Sequence, residues 1–376
     1  MLSICIEKQW NYSNIESVFE MLKFTNTQIL SVFHNFRMKI KLTTTHCKLQ
    51  LEYPFSISRY TVSTQDTIIV CISNGAISGY GEATVNPYYG STIEGLETSV
   101  KSVFGIVEAS SGLHPKDLWK QLEPILRNDY FALCAIDCAY WDFYARLQRS
   151  TLRSFWSTNE LKLPQTNYTI GIDEISVMQS KIKENPWPIY KIKLGVEHDL
   201  EIVKALRSVT DSVFRIDANC AWETEETIKK SEVLKGLGVE FIEQPLKAND
   251  WEGMTYVKKK CKLPIIADES CQKLEDVQKC AKAFHGVNIK LMKCGGITPA
   301  LQMIENARKY QLKTMIGCMT ESSVGISNIA QLAPLLDYLD ADGSLLLKND
   351  IAEGVRFKSG NILYPDDYGS GVRMKN

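Results

Sequence analysis

The sequence predicts an α/β protein: a (β/α)8 TIM-like barrel preceded by an α+β domain. Three observations predict it. At 376 residues the chain exceeds what one small core holds, since cores beyond about 250 to 300 residues usually divide. Eight short apolar runs start at residues 168, 190, 213, 239, 264, 287, 313 and 338, a spacing of 22 to 26 residues. That is the length of one strand, one helix and two loops, and eight such units are what a closed parallel barrel requires. Ahead of residue 165 the texture differs, with strand signals first and helical periodicity after. An open doubly wound sheet has the same alternation, but no G-x-G-x-x-G opens a helix after the first run, and eight units fit closure.

Taken in order, residues 1–37 hold short amphipathic fragments around "SVFEMLKF" with no partner strand in view. Two readings stand open there: a loosely packed extension, or a segment ahead of a native start at Met38. Residues 38–160 form the α+β domain. "MKIKLTTTHCKLQL" and "TIIVCIS" read as strands, "NGAISG" as a turn, and "FALCAIDCAYWDFYARLQ" as a helix that is apolar on nearly every side. "LPQTNYT" is the linker into the barrel, residues 161–350, and residues 351–376 are a tail that leaves the barrel and packs back elsewhere.

A formal net charge of −1 gives no electrostatic reason to expect nucleic acid or a membrane as partner, so small ligands are the expected ones. Eleven cysteines without a C-x-x-C pair favour neither zinc nor a disulfide framework. Charged residues interrupt the apolar N-terminal stretches, and neither a spanning segment nor a signal pattern is present. A cytoplasmic protein that assembles as a homo-oligomer is expected.

Barrels of this class fill their interior with apolar side chains and gather chemistry at the C-terminal strand ends. Here that end is polar: Lys191 and Lys193, Asp217 and Asn219, Glu243 and Gln244, Asp268 and Glu269, then Lys290 and Lys293. Alternation puts Lys191 and Lys193 on one face and favours Lys290, with Met292, as inward, so that Lys293 points elsewhere unless the strand has ended. Asp217, Glu243 and Asp268 come from three consecutive strands at matching positions. An all-oxygen donor set suits a hard ion such as Mg2+, with Mn2+ as substitute. Any one of these acids alone would more often cap a helix or pair with a lysine, but three at one level flanked by lysines favour the metal. A lysine acts as a base only when neutral, and desolvation or nearby positive charge promotes that state. The chemistry implied is proton abstraction next to a carboxylate.

The motifs "KIKLG", "RIDAN", "EFIEQP", "ADES" and "NIKLMKCGGI" together resemble the enolase superfamily in its muconate-lactonizing subgroup. The resemblance runs from about Met38 to the C-terminus. It implies that the α+β domain, completed by the C-terminal tail, caps the barrel mouth, that Mg2+ sits on Asp217, Glu243 and Asp268, and that Lys193 and Lys290 are catalytic. "YLDADG" resembles the feature by which dipeptide epimerases bind the substrate's free ammonium group, here Asp340 and Asp342, and "GCMTESSVGI" with Met319 and Glu321 resembles the same branch.

The implied activity is inversion of the C-terminal residue of a dipeptide, one lysine removing the α-proton and the other returning a proton to the opposite face. Lys191, Thr169, Gly171, Cys318 and Met319 would shape the pocket, with Asn219, Glu269 and Glu321 in support. "YPFSISRYTVSTQ" resembles the family's specificity loop, where an arginine serves Ala-Glu substrates; Arg59 is near that place, but the spacing aligns Tyr60 to it. A hydrophobic or mixed dipeptide is therefore as compatible as an Ala-Glu one. A sister activity, o-succinylbenzoate synthase or muconate cycloisomerase, ranks second, against Asp340 and Asp342. A barrel that only binds a ligand is the reading from another class.

Overall fold

Alternating apolar residues in the first strands give three antiparallel strands, β1 (Lys41–Ile57), β2 (Tyr60–Ser73) and β3 (Ser78–Thr84), in the order β1-β2-β3. The computed structural model describes residues 39–156 and 163–375, so the expectation for residues 1–37 lies outside them. Between β2 and β3 the chain reverses on Asn74, whose side chain accepts from the Ala76 and Ile77 amides at 3.0 and 2.8 Å. The β1–β2 register shifts between Gln50 and Phe55, a bulge that re-aims the strand ends Phe55–Ile57.

The helix Tyr130–Leu147 lies across β3, buried on most of its circumference as its apolar sequence predicts. Two glycines of "ISGYGEA" permit the approach. A Cβ on Gly81 would lie 2.0 Å from the Ala135 carbonyl oxygen, and one on Gly79 2.2 Å from the Phe143 amide nitrogen.

All eight predicted runs are strands of one parallel sheet: β4 (Tyr168–Ile170), β5 (Ile189–Lys193), β6 (Val213–Asp217), β7 (Val239–Glu243), β8 (Ile265–Ala267), β9 (Gly286–Ile289), β10 (Lys313–Gly317) and β11 (Tyr338–Asp340). They neighbour one another in sequence order, as right-handed βα units demand. The ring closes through a parallel bridge between Thr166 and Leu339, and the Ala341 amide donates to Thr166 Oγ1 at 2.8 Å. Phe241, Ile266 and Met315 fill the interior, with the Arg215 guanidinium 5.3 Å from the Phe241 ring and donating to the Leu339 carbonyl at 3.0 Å.

Two buried acids join the N-terminal domain to the barrel. Glu82 of β3 accepts from Ser322 Oγ at 2.6 Å and from the Gly325 amide at 3.0 Å, at the N-terminus of the helix Ser323–Ala330. Asp137 accepts from the Thr298 amide and hydroxyl, both at 2.8 Å, in the first turn of the helix Ile297–Lys309. The tail returns to the same domain: the Ser370 amide donates to Asp142 at 2.7 Å, and Arg146 donates to the Val372 carbonyl at 2.7 Å. Among the described residues no helix is long and apolar enough to cross a membrane.

Candidate active site

Register brings the acids together. Lys193 of β5 lies beside Asp217 of β6, and Asp217 beside Glu243 of β7. Ile266 of β8 pairs with Glu243, and Asp268, two residues on, points the same way by alternation. One oxygen from each of Asp217, Glu243 and Asp268 lies within 4.8 Å of the others, and all three residues are buried. Glu243 Oε2 is 2.8 Å from the Lys191 ammonium, yet accepts no hydrogen bond of acceptable angle. An all-oxygen set with an unsatisfied buried oxygen fits a hard divalent cation.

The lysines approach this triad from two directions. From β5, Lys193 Nζ is 2.7 Å from Asp217 Oδ2; from β9's C-terminal end, Lys290 Nζ is 3.0 Å from Asp268 Oδ2. Strands β6, β7 and β8 stand between them on the ring. Lys191 is buried among Asp217, Glu243 and Asp340 at 3.0, 2.8 and 2.8 Å. Burial works against its charge, but Asp340, Glu243 and Asp217 outweigh burial and hold its pKa well above the ordinary lysine value. Three carboxylates thus surround the Lys191 ammonium, where Lys193 and Lys290 each face one. Burial also opposes the Lys290 charge, and Asp268 overrides it, raising that pKa too.

Among the acids the same balance separates partners. Burial favours neutral carboxyls, but Lys193 and Lys191 hold Asp217 below the usual carboxylate range, and Lys290 and Lys293 do so for Asp268. Burial, then the anion of Asp217, pushes Glu243 up to about 7.

At the seam, Asp340 accepts from Asn167 Nδ2 at 2.7 Å in addition to Lys191, and the Thr169 amide donates to Asp342 Oδ2. Both acids, with Thr169, Cys318 and Met319, line a cavity of about 90 Å3 that also takes in Lys191, Lys193 and Lys290. Glu321 stands behind this wall, its Oε1 accepting from the Met319 amide at 2.8 Å. Gly171 lies under the bulged end of β1, where the Ile172 amide donates to the Ser56 carbonyl at 2.9 Å.

On the far side of the cavity Arg59 donates to Glu269 Oε1 at 2.9 Å and to the Asn219 carbonyl at 3.3 Å, and stacks 4.2 Å from the Tyr88 ring centre. Burial works against the Arg59 charge, but Glu269 outweighs it and keeps the guanidinium protonated. Tyr60 stands at the rim, 38% exposed, on the cavity wall.

Residues 39–155 match the profile "Mandelate racemase / muconate lactonizing enzyme, N-terminal domain", and residues 176–376 match "Enolase C-terminal domain-like". The chain belongs to the mandelate racemase / muconate lactonizing enzyme family. An L-Ala-D/L-amino acid epimerase of Flavobacterium johnsoniae is 52% identical over 335 residues, 89% of this chain and 100% of its own. An L-Ala-D/L-Glu epimerase of Bacteroides thetaiotaomicron is 36% identical over 337 residues, 89% of this chain and 88% of its own. The solved dipeptide epimerase of Cytophaga hutchinsonii, complexed with Mg and D-Ala-L-Val, superposes with a TM-score of 0.85 at 26% identity over 90% of this chain and 96% of its own.

For this mandelate racemase / muconate lactonizing enzyme family member, sequence reasoning did not single out Asn288, whose Nδ2 donates to Glu243 Oε1 at 2.7 Å. Its position two residues before Lys290 on β9 was the available signal. Gly317 makes room for it, since a Cβ there would lie 2.6 Å from Asn288 Nδ2. Lys293 was expected to point elsewhere unless the strand had ended; β9 does end at Ile289, and the short helix Leu291–Cys294 turns its ammonium back onto Asp268. Asn86 and Tyr89, from the turn after β3, also line the cavity, and no pattern in the sequence announces them.

Proposed function

We propose that this chain is a Mg2+-dependent dipeptide epimerase that inverts the α-carbon of a dipeptide's C-terminal residue by moving protons through Lys193 and Lys290 by way of an enediolate. The epimerase reading draws on relatives up to 52% identical that carry that activity in their names, and on dipeptides bound in similar solved structures. The observation that carries the mechanism is the placement of Lys193 and Lys290 on two different triad acids from strands on either side of the triad.

Asp217, Glu243 and Asp268 would hold Mg2+, with Mn2+ as substitute. When bound, the cation supplies positive charge to the substrate carboxylate as that group takes up electron density. Lys191, fixed in its charged form, adds to that field from within the ring. Asp340 and Asp342 take the substrate ammonium through charge-assisted hydrogen bonds. One of Lys193 and Lys290 starts neutral and accepts the α-proton, leaving the electron pair on the α-carbon and carboxylate. The other starts as ammonium and delivers its proton to the opposite face. The two lysines exchange protonation states, and no net proton is consumed.

The test is incubation of dipeptide mixtures with the enzyme and Mg2+ in deuterated water, followed by mass spectrometry and chiral analysis. Solvent deuterium should enter the C-terminal residue of the inverted product. Lys193→Ala and Lys290→Ala should each lower inversion by about a hundredfold to ten-thousandfold, the range for loss of a general acid or base. An active Lys290→Ala variant overturns the assignment.

A further inference from the structure

Which side chain can the inverted residue carry? The answer rests on the reading above. With the carboxylate at the triad, the peptide nitrogen directed toward the ammonium held by Asp340 and Asp342, and the α-hydrogen facing a lysine, the side chain, the fourth substituent of the inverted α-carbon, points away from the seam. That direction leads under the N-terminal domain toward Arg59, Asn219 and Glu269, which line the same cavity.

Arg59 is the one arginine among the described residues of that wall, and two of its five N–H donors are engaged, one of them by a carboxylate. Glu269 Oε1 takes one at 2.9 Å, the Asn219 carbonyl another at 3.3 Å, and the Tyr88 ring covers a face. The other cations on the wall are Lys191, Lys193 and Lys290, each already against a carboxylate. Glu269 is itself deeply buried, and its second oxygen, Oε2, has no hydrogen-bond partner. A carboxylate arriving here would find every cation among the described lining residues already paired with a carboxylate. A neutral side chain, or one that brings an N–H or O–H donor, needs no such cation.

We infer that Arg59 and Glu269 form a specificity lock: Glu269 occupies the guanidinium, so the cavity accepts neutral side chains on the inverted residue and disfavours acidic ones. Loss of the Glu269 charge frees Arg59 for a substrate carboxylate.

The experiment measures kcat/KM for L-Ala-L-Leu and L-Ala-L-Glu with Mg2+, and reads their ratio so that any general loss of catalysis cancels. The parent enzyme should favour L-Ala-L-Leu by about tenfold or more, the scale of one charge-assisted hydrogen bond. Glu269→Gln should move the ratio toward L-Ala-L-Glu by about tenfold, and adding Arg59→Met should reverse that gain. Arg59→Met alone should leave L-Ala-L-Leu favoured. The lock is overturned by a parent that handles both dipeptides equally, by a ratio unmoved in Glu269→Gln, or by a gain that survives Arg59→Met. A parent that exchanges no deuterium into any dipeptide sinks the proposed function itself, an outcome distinct from these.

Discussion

The barrel mouth and the N-terminal domain line the same cavity by different means. At the mouth, position follows from register: Lys193, Asp217 and Glu243 sit at one level because their strands pair residue for residue. In the N-terminal domain, position follows from single close approaches: Gly81 under Ala135, Gly171 under Ser56, and Asp137 at the start of a barrel helix. Charges placed by a repeated ladder tolerate no slip, whereas a lid resting on a few contacts is adjustable. On the function proposed above, the chemistry is built into the ring, and selection of the substrate is shared between Glu269 of the ring and Arg59 over it.

The largest effect should come at the joint between the two regions. Burial pushes Asp137 up to about 7, against an ordinary carboxyl value of 3.8, despite donors from Thr298. Between those values the folded state holds a proton that the unfolded chain has lost, so this group makes stability fall as pH rises from about 4 to 7, and the cost is complete above 7. A shift of this size has a ceiling of about 4 kcal/mol. Asp137→Asn, which can still cap the helix, should flatten that slope, and denaturant unfolding of parent and variant at pH 5 and pH 8 checks it. An unchanged difference between the two pH values would break the view of Asp137 as a strained joint.

Next in size is the interior of the N-terminal domain. Gly81→Ala puts a Cβ against a backbone carbonyl that cannot rotate away, and should cost about 1–3 kcal/mol, read as a lower midpoint in urea. Smallest is Gly171→Ala, whose Cβ would stand 3.0 Å from the Ser56 carbonyl oxygen and 3.3 Å from the Phe55 ring. A displacement of a few tenths of an ångström at the lid should raise KM a few-fold and leave kcat nearly as it was. A fall in kcat with KM unchanged would show that the lid also sets the lysines, and the contrast drawn above would fail.

The same contrast explains what could be read from the chain. Period-2 alternation and a spacing of 22 to 26 residues are local signals, and all eight runs they marked are strands. Asp217, Glu243 and Asp268 were legible because each closes such a run. Lys293 was not, because its placement depends on β9 ending at Ile289, one residue before Lys290, and the alternation rule carries no sign of that. The partner of Arg59 lies 210 residues away, and Asn86 and Tyr89 come from a turn that only tertiary packing brings to the site. Contacts that distant leave no periodic trace.

The seam has a further consequence. Asp340 and Asp342 are oriented by Asn167 and Thr169, so the last strand's acids are held by groups flanking and within the first. During synthesis this acid pair, the anchor proposed above for a substrate's amino end, cannot form until the polypeptide has been made past residue 342 and has come back to meet the first barrel strand. A ribosome-bound fragment short of that point carries Asp217, Glu243, Asp268, Lys193 and Lys290, yet lacks the proposed anchor.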